Sequence, residues 1–254
     1  MADVKAKPRK RDRLKARARR YADLPLRLRT ADLPRRAASA AVMLAVTALA
    51  LWQGGAVLAG FIVVVALVCL GEFVALVRRA TKKWANRIAA VLAGSAYIGA
   101  AAVSLLRLEL YYLIAVLGVV IFTDTCAYFA GRTIGGPKIA PRISPSKTWA
   151  GLAGGMAGSA LWLEAYMSLA HNTGAGVRWA DSYALSIAEV IGWALVGAVL
   201  AVAAQAGDFF ESWLKRRANK KDSSNLIPGH GGVFDRVDGL LPVAIVTGLL
   251  AAFA

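Results

Sequence analysis

Apolar residues run along this chain in long blocks, without the short helical or strand periods of a soluble domain. Windows of about 20 apolar residues, the length that crosses a bilayer core, predict seven spans: 37–53, 56–77, 88–106, 110–130, 149–170, 187–206 and 233–254. The first is short, and Gly54-Gly55 predicts a tight hairpin into the second. The last opens on a polar turn. Two polar stretches interrupt the pattern. Residues 131–149 (GRTIGGPKIAPRISPSKTW) carry three prolines and three glycines, which exclude a regular helix. Residues 212–238 (SWLKRRANKKDSSNLIPGHGGVFDRVD) mix cations, aspartates and glycines in a length that suits neither lipid nor a short connection. The expected architecture is an all-α, polytopic membrane helix bundle.

Composition agrees with that reading. Of 254 residues, 58% are hydrophobic, and the mean hydropathy of +0.54 is too high for a soluble domain of this size. The net charge of +16 is distributed unevenly, with 14 of 31 lysines and arginines in the first 36 residues. That basic tail has too little apolar content to fold alone and is expected to be disordered or held at the membrane surface. It is also too long and too charged for the leading segment of a signal peptide. No nucleic-acid module and no patch of cations interleaved with aromatics accompanies it, so no nucleic-acid partner is expected. Cys69 and Cys126 each lie in an apolar run and read as buried free thiols.

Charge also predicts orientation. With the tail placed in the cytoplasm and the spans alternating, 29 of the 31 cations fall on the cytoplasmic side, leaving Arg107 and Arg178 outside. Eleven acids lie beyond the tail, and seven of them (Glu72, Asp124, Asp208, Glu211, Asp222, Asp235, Asp238) fall at or near that same face. Glu164 sits within the fifth span. Acids at membrane depth are costly unless they pair or hold a metal, so their convergence predicts a site.

The candidate chemistry follows from residue type and spacing. Asp124 lies near the end of the fourth span with Tyr128 one turn on; it suits metal or substrate contact, or a structural pair with a nearby cation. Ser144, Ser146, Lys147 and Thr148 precede a new helix, where hydroxyls and amides suit an anion or simply make a polar turn. The glycine spacing of a Walker A loop is absent. Asp208, Glu211 and Ser212 share one helix face. Asp235 and Asp238 fall on an opening helical turn, where capping is the alternative to metal binding. His230, between Gly229 and Gly231-Gly232, fits substrate contact or loop-holding equally. Lys215, Arg216, Lys221 and Arg236 supply cations for phosphate, and the acids suit Mg²⁺, which takes a few carboxylates plus phosphate oxygens.

The stretch 212–238 resembles the signature of the CDP-diacylglycerol synthases, the phosphatidate cytidylyltransferases. Its fixed positions are met by Ser212, Lys215, Arg216, Lys221, Asp222, Pro228, Gly229, His230, Gly231, Gly232, Asp235, Arg236 and Asp238. The segments AYFAGRTIGGPKIAPRISPSKTWAG and GDFFES are similar to family segments too, so the likeness runs from about Asp124 to the end. Upstream it is confined to an RxxSA-like start at Arg36–Ala40 and to Glu72. Ala150 stands where relatives often carry Glu, and the basic tail is a departure.

The resemblance implies transfer of a cytidylyl group from CTP to phosphatidic acid, giving CDP-diacylglycerol and pyrophosphate. It implies Mg²⁺, as one or two divalent ions with room for a monovalent one, on Asp208, Asp222, Asp235 and Asp238. Asp124, Tyr128, Ser144, Ser146, Lys147, Thr148, Ser212, Gly229, Gly231 and Gly232 would contact substrate. The chain then divides into a tail (1–36), N-terminal membrane helices (37–120) and a catalytic membrane region (121–254). Its expected location is the bacterial inner membrane, active site facing the cytoplasm, and small residues in the spans allow a homodimer. The rival readings are a polyprenol kinase, a CDP-archaeol-type synthase, or a non-enzymatic transporter or scaffold.

Overall fold

The computed structural model describes residues 33–173 and 186–253. The expected tail up to residue 32, and Arg178 with Asp181, lie outside the described residues. Six long helices, one small hairpin and two short helices follow one another. They are α1 (Leu33–Gln53), α2 (Gly55–Ala80), α3 (Trp84–Arg107), α4 (Leu110–Thr133), β1 (Lys138–Ala140), β2 (Ser144–Thr148), α5 (Trp149–Thr173), α6 (Ile187–Arg217), α7 (Phe234–Val237) and α8 (Leu240–Phe253). Gly54, with φ 61°, makes the tight turn between α1 and α2.

Five helices, α1 to α4 and α6, are long and apolar enough to cross a membrane. The other two expected spans differ for separate reasons. Helix α5 has the length, 25 residues, but small residues and Glu164 dilute its hydropathy. The stretch 233–254 is broken into α7 and α8 at Asp238-Gly239. Pro242, on the first turn of α8, lacks the amide that would bond the carbonyl of Asp238, so a continuous helix is disfavoured there.

Two cores hold the bundle. One joins Phe73, Leu76 and Val77 of α2 and Ile98 of α3 to Leu214 of α6, Phe234 of α7 and Leu241 of α8. The other joins Val116 and Val119 of α4, Leu163 and Met167 of α5, Leu200 and Ala204 of α6, and Val243 of α8. Helices α6 and α8 serve both, so residues on either side of position 120 share a core. Helix α1 contributes to neither, and Val42, Leu44, Val46, Leu49 and Trp52 on it are exposed.

The small residues of α5 let it lie directly on α4. A Cβ at Gly151 or Gly155 would stand 3.0 Å from the carbonyl oxygen of Ala127 or Thr123, and one at Gly154 would run into Ala130. Prolines and glycines in 131–149 rule out helix as expected, and the segment pairs instead as an antiparallel hairpin, Ala140 opposite Ser144 and Lys138 opposite Thr148.

Candidate active site

One end of the bundle gathers nearly every polar group singled out above. The start of α1 meets the loop after α6, since Ser39 Oγ donates to Pro228 O (3.0 Å) and lies 2.7 Å from His230 Nδ1. The hairpin is tied to α6 by Arg216 Nε, which donates to Ile143 O (3.2 Å). The same end holds two groups of carboxylates, with the buried Glu211 of α6 between them.

The first group surrounds Lys147, placed on β2 just ahead of α5. Its ammonium pairs with Asp208 of α6 and lies 4.0 Å from Asp124 of α4. Asp238, between α7 and α8, comes against Asp208 because Gly207 has no side chain: a Cβ there would run into the carbonyl of Asp238. The only amide that Asp238 accepts from is that of its neighbour Gly239, at 3.0 Å, among the described residues. Burial, then the adjacent Asp208 carboxylate, push Asp238 well above the usual carboxylate range. Two carboxyl groups are thus crowded together, and charge on one disfavours charge on the other.

The second group is built around Asp235. Its carboxylate accepts from Gly232 N (2.7 Å), Ser223 N (2.9 Å), Ser223 Oγ (2.9 Å) and Lys215 Nζ (2.8 Å). Lys215 is shared with the buried Glu211 one turn before it. Burial opposes the charge on Asp235, but contacts with Glu211 and Lys215 and the Gly232 and Ser223 amides hold it well below the usual carboxylate range. Glu72 of α2 backs this group. It is buried and accepts from Ser223 Oγ (3.0 Å), Ser224 Oγ (2.5 Å), Val233 N (3.1 Å) and Phe234 N (2.8 Å). Beside it the Phe234 ring meets Phe73 edge to face, centroids 6.0 Å apart. Gly232 admits this arrangement, since a Cβ there would collide with Ser223 Oγ and the Glu72 carboxylate.

The remaining expected residues fall around these groups. Lys221 and Asp222 are exposed and line two open cavities on the outer side of the loop. Arg236 donates to His230 O (2.9 Å), which tightens the glycine turn in which Gly229 and Gly231 have φ of 79° and 86°. Ser212 is half-buried on α6, and Ser144 and Ser146 lie on β2. The Thr148 hydroxyl, buried, accepts from Gly151 N (3.0 Å) and so caps α5. Tyr128 is turned outward, where Arg132 donates to its hydroxyl (2.6 Å).

The donor set can be tested against a divalent cation. Among the described residues, no group of three or more His, Cys, Asp or Glu side chains is placed to hold a metal. Asp208 and Asp238 nonetheless form a crowded pair, and Mg²⁺ characteristically takes one or two carboxylates and keeps water and phosphate for the rest. That pair fits. Asp235 has its oxygens occupied by protein donors, and Asp222 stands apart at the cavities.

Three contributions were not foreseen. Glu72 reads as an acid near this face and as part of the upstream family likeness, with no role given to it, yet it organises the loop; an acid inside an apolar run was the available signal. Ser39 and the arginine pair of α1, Arg35 and Arg36, reach the loop across nearly 200 positions of sequence, a contact that the RxxSA-like start at Arg36–Ala40 does not itself announce.

Comparison with known proteins gives the following likenesses. The model of the Cytidylyltransferase family matches residues 88–254. A phosphatidate cytidylyltransferase of Brucella suis is 40% identical over 168 residues, 63% of this chain and 56% of that protein. One from Haemophilus influenzae is 37% identical over 131 residues, 52% of this chain and 42% of the relative. One from Rickettsia felis is 40% identical over 125 residues, 48% and 51% respectively. The chain spans about half the length of the curated relatives it matches.

Proposed function

The chain belongs to the cytidylyltransferase family, and from that premise we propose that it transfers a cytidylyl group from CTP to phosphatidic acid, releasing pyrophosphate. The observation that carries the reading is the crowded Asp208–Asp238 pair beside Lys147 and Asp124, at the end of the bundle that also holds the cation-rich loop.

Phosphatidate supplies its own nucleophile, an anionic phosphate oxygen, so the protein has no need of an activated serine or cysteine. A bond forms from that oxygen to the α-phosphorus of CTP, and the bond from the α-phosphorus to the bridging oxygen breaks, the electron pair leaving with pyrophosphate. What remains for the protein is alignment and neutralisation of charge. Lys147 stands against the carboxylates and offers its ammonium to phosphate oxygens. Lys215 and Glu72 act at one remove, fixing Asp235 and the loop so that Gly229–Gly232 present backbone to the ligand. Asp208 and Asp238 would hold Mg²⁺, which when bound neutralises phosphate oxygens and lowers the cost of bringing two anions together. The chain would work as an integral protein of a bacterial inner membrane with this end in the cytoplasm. The distribution of cations supports that side, and CTP is available there.

Purified protein incubated with labelled CTP, phosphatidic acid and Mg²⁺ should yield a CDP-lipid and pyrophosphate. A phosphorylated lipid with CDP would instead make it a kinase, and no turnover with any lipid would remove the enzyme reading.

A further inference from the structure

We propose that the cavity between the first turn of α1 and the loop after α6 receives the phosphomonoester headgroup of the lipid substrate; the inference rests on the function proposed above. The cavity, of about 590 Å³, is lined by Arg35 and Arg36 of α1 and by Lys221, Asp222, His230 and Arg236. Four cations therefore face one carboxylate. Among the described residues, Arg35, Arg36 and Lys221 form no ion pair, and Arg236 donates to a backbone carbonyl, that of His230. Like charges assembled around an open space repel unless an anion joins them. Arginine forks suit a doubly charged phosphate best.

The cavity wall is built. Ser39, one turn after Arg36, ties α1 to Pro228 and His230. The Arg36 stem lies on Gly229, where a Cβ would come within 2.8 Å of its Cγ. Helix α1 also decides which phosphate this is. Beyond the cavity it carries exposed Val42, Leu44, Val46, Leu49 and Trp52 and is apolar enough to cross a membrane, so the cavity lies at the end of a helix that acyl chains would surround. A lipid can enter there sideways with its tails still in the bilayer. The nucleotide would lie on the other side of the loop, since Lys147, Asp208 and Asp238 do not line this cavity. Arg236 connects the two, within electrostatic reach of Asp124.

The triphosphate of CTP shares the same chemistry, so the test separates the two sources. Full-length protein in nanodiscs is assayed for KM toward each substrate, and for binding of fluorescent phosphatidic acid without CTP. Arg36→Ala, and the Arg35→Ala/Arg36→Ala double variant, should raise KM for phosphatidic acid about tenfold to a hundredfold and leave KM for CTP unchanged. Arg36→Lys, which keeps the charge and loses the fork, should fall between, and Lys221→Ala should repeat the pattern from the loop side. Both alanine variants should lose fluorescent-lipid binding. A rise in KM for CTP alone assigns the cavity to the triphosphate and overturns the proposal; so does an unchanged KM for both substrates, or unchanged lipid binding. If the wild type binds phosphatidic acid through Arg36 yet forms no CDP-lipid, the parent reading fails and the cavity assignment stands.

Discussion

Glu72 with Asp235, and Asp208 with Asp238, are two carboxylate pairs at the same end of one bundle, and the protein treats them in opposite ways. Glu72 and Asp235 are surrounded by donors: backbone amides of residues 223 and 232–234, two serine hydroxyls and the Lys215 ammonium. Ser223 Oγ even stands between them, 2.9 Å from one and 3.0 Å from the other. Asp208 and Asp238 are pressed together; Asp208 pairs with Lys147, and the one amide that Asp238 accepts from, among the described residues, is that of its neighbour Gly239. A carboxylate already solvated by its own chain holds architecture, whereas one left crowded is available to a ligand. Charge and sequence spacing make all four look alike; the accounting of donors separates them.

That contrast can be broken in graded steps. Asp238→Asn or Asp208→Asn should lower turnover by roughly 10²–10³-fold or more, with a cooperative melt retained. Labelled-CTP turnover measured beside detergent melting tests both halves, and wild-type turnover would move the pair out of the active site. Asp235→Ala should unfold the loop and cost about 3–5 kcal/mol, because part of the compensation of half-buried Lys215 is removed. The corresponding Asp235→Asn carries a pH signature. The depressed folded value means this carboxylate stabilises above the ordinary aspartate range and stops doing so as acid titrates it. The stability gap between wild type and variant should therefore be full near neutrality and shrink on acidification; a gap independent of pH would contradict the ionised role. Glu72→Gln keeps the shape and turns one of the two acceptor oxygens into a donor, and should cost about 1–3 kcal/mol, with sharper protease cutting between 219 and 233 while residual turnover persists. The smallest effect belongs to a carboxylate at the far end of α6. Glu189 closes a capping box with Ser186, so Glu189→Ala should cost about 0.5–1 kcal/mol and leave turnover alone. Lost turnover there would show that distance from the site is no guide.

Much of this was legible in the sequence because the signals are local. Long apolar blocks gave the helices α1 to α6, proline and glycine density marked 131–149 as non-helical, and the 212–238 pattern carried the family. Span boundaries were less secure where a single proline, Pro242, divides an apolar stretch. The candidate site was legible as a set of residue types and not as a division of labour. Asp235 and Asp238, three apart, present the same chemistry on paper. Only the fold shows that one turns toward Ser223 and Lys215 and the other toward Asp208. Thr148 likewise offers a hydroxyl to any reader, and the structure spends it on the end of α5.

The seam between α4 and α5 has a mechanical meaning. With main chain lying on main chain at Gly151, Gly154 and Gly155, neither helix can tilt without collision, so the pair behaves as one stiff beam. Asp124 is rooted in that beam and Lys147 leads directly into it. Their spacing is then a fixed gauge, whereas on the opposite bank α1 rests on the loop through side chains, Ser39 and the Arg36 stem. Spin labels across α4 and α5 should report the same separation with and without CTP, while a pair spanning α1 and the loop should not.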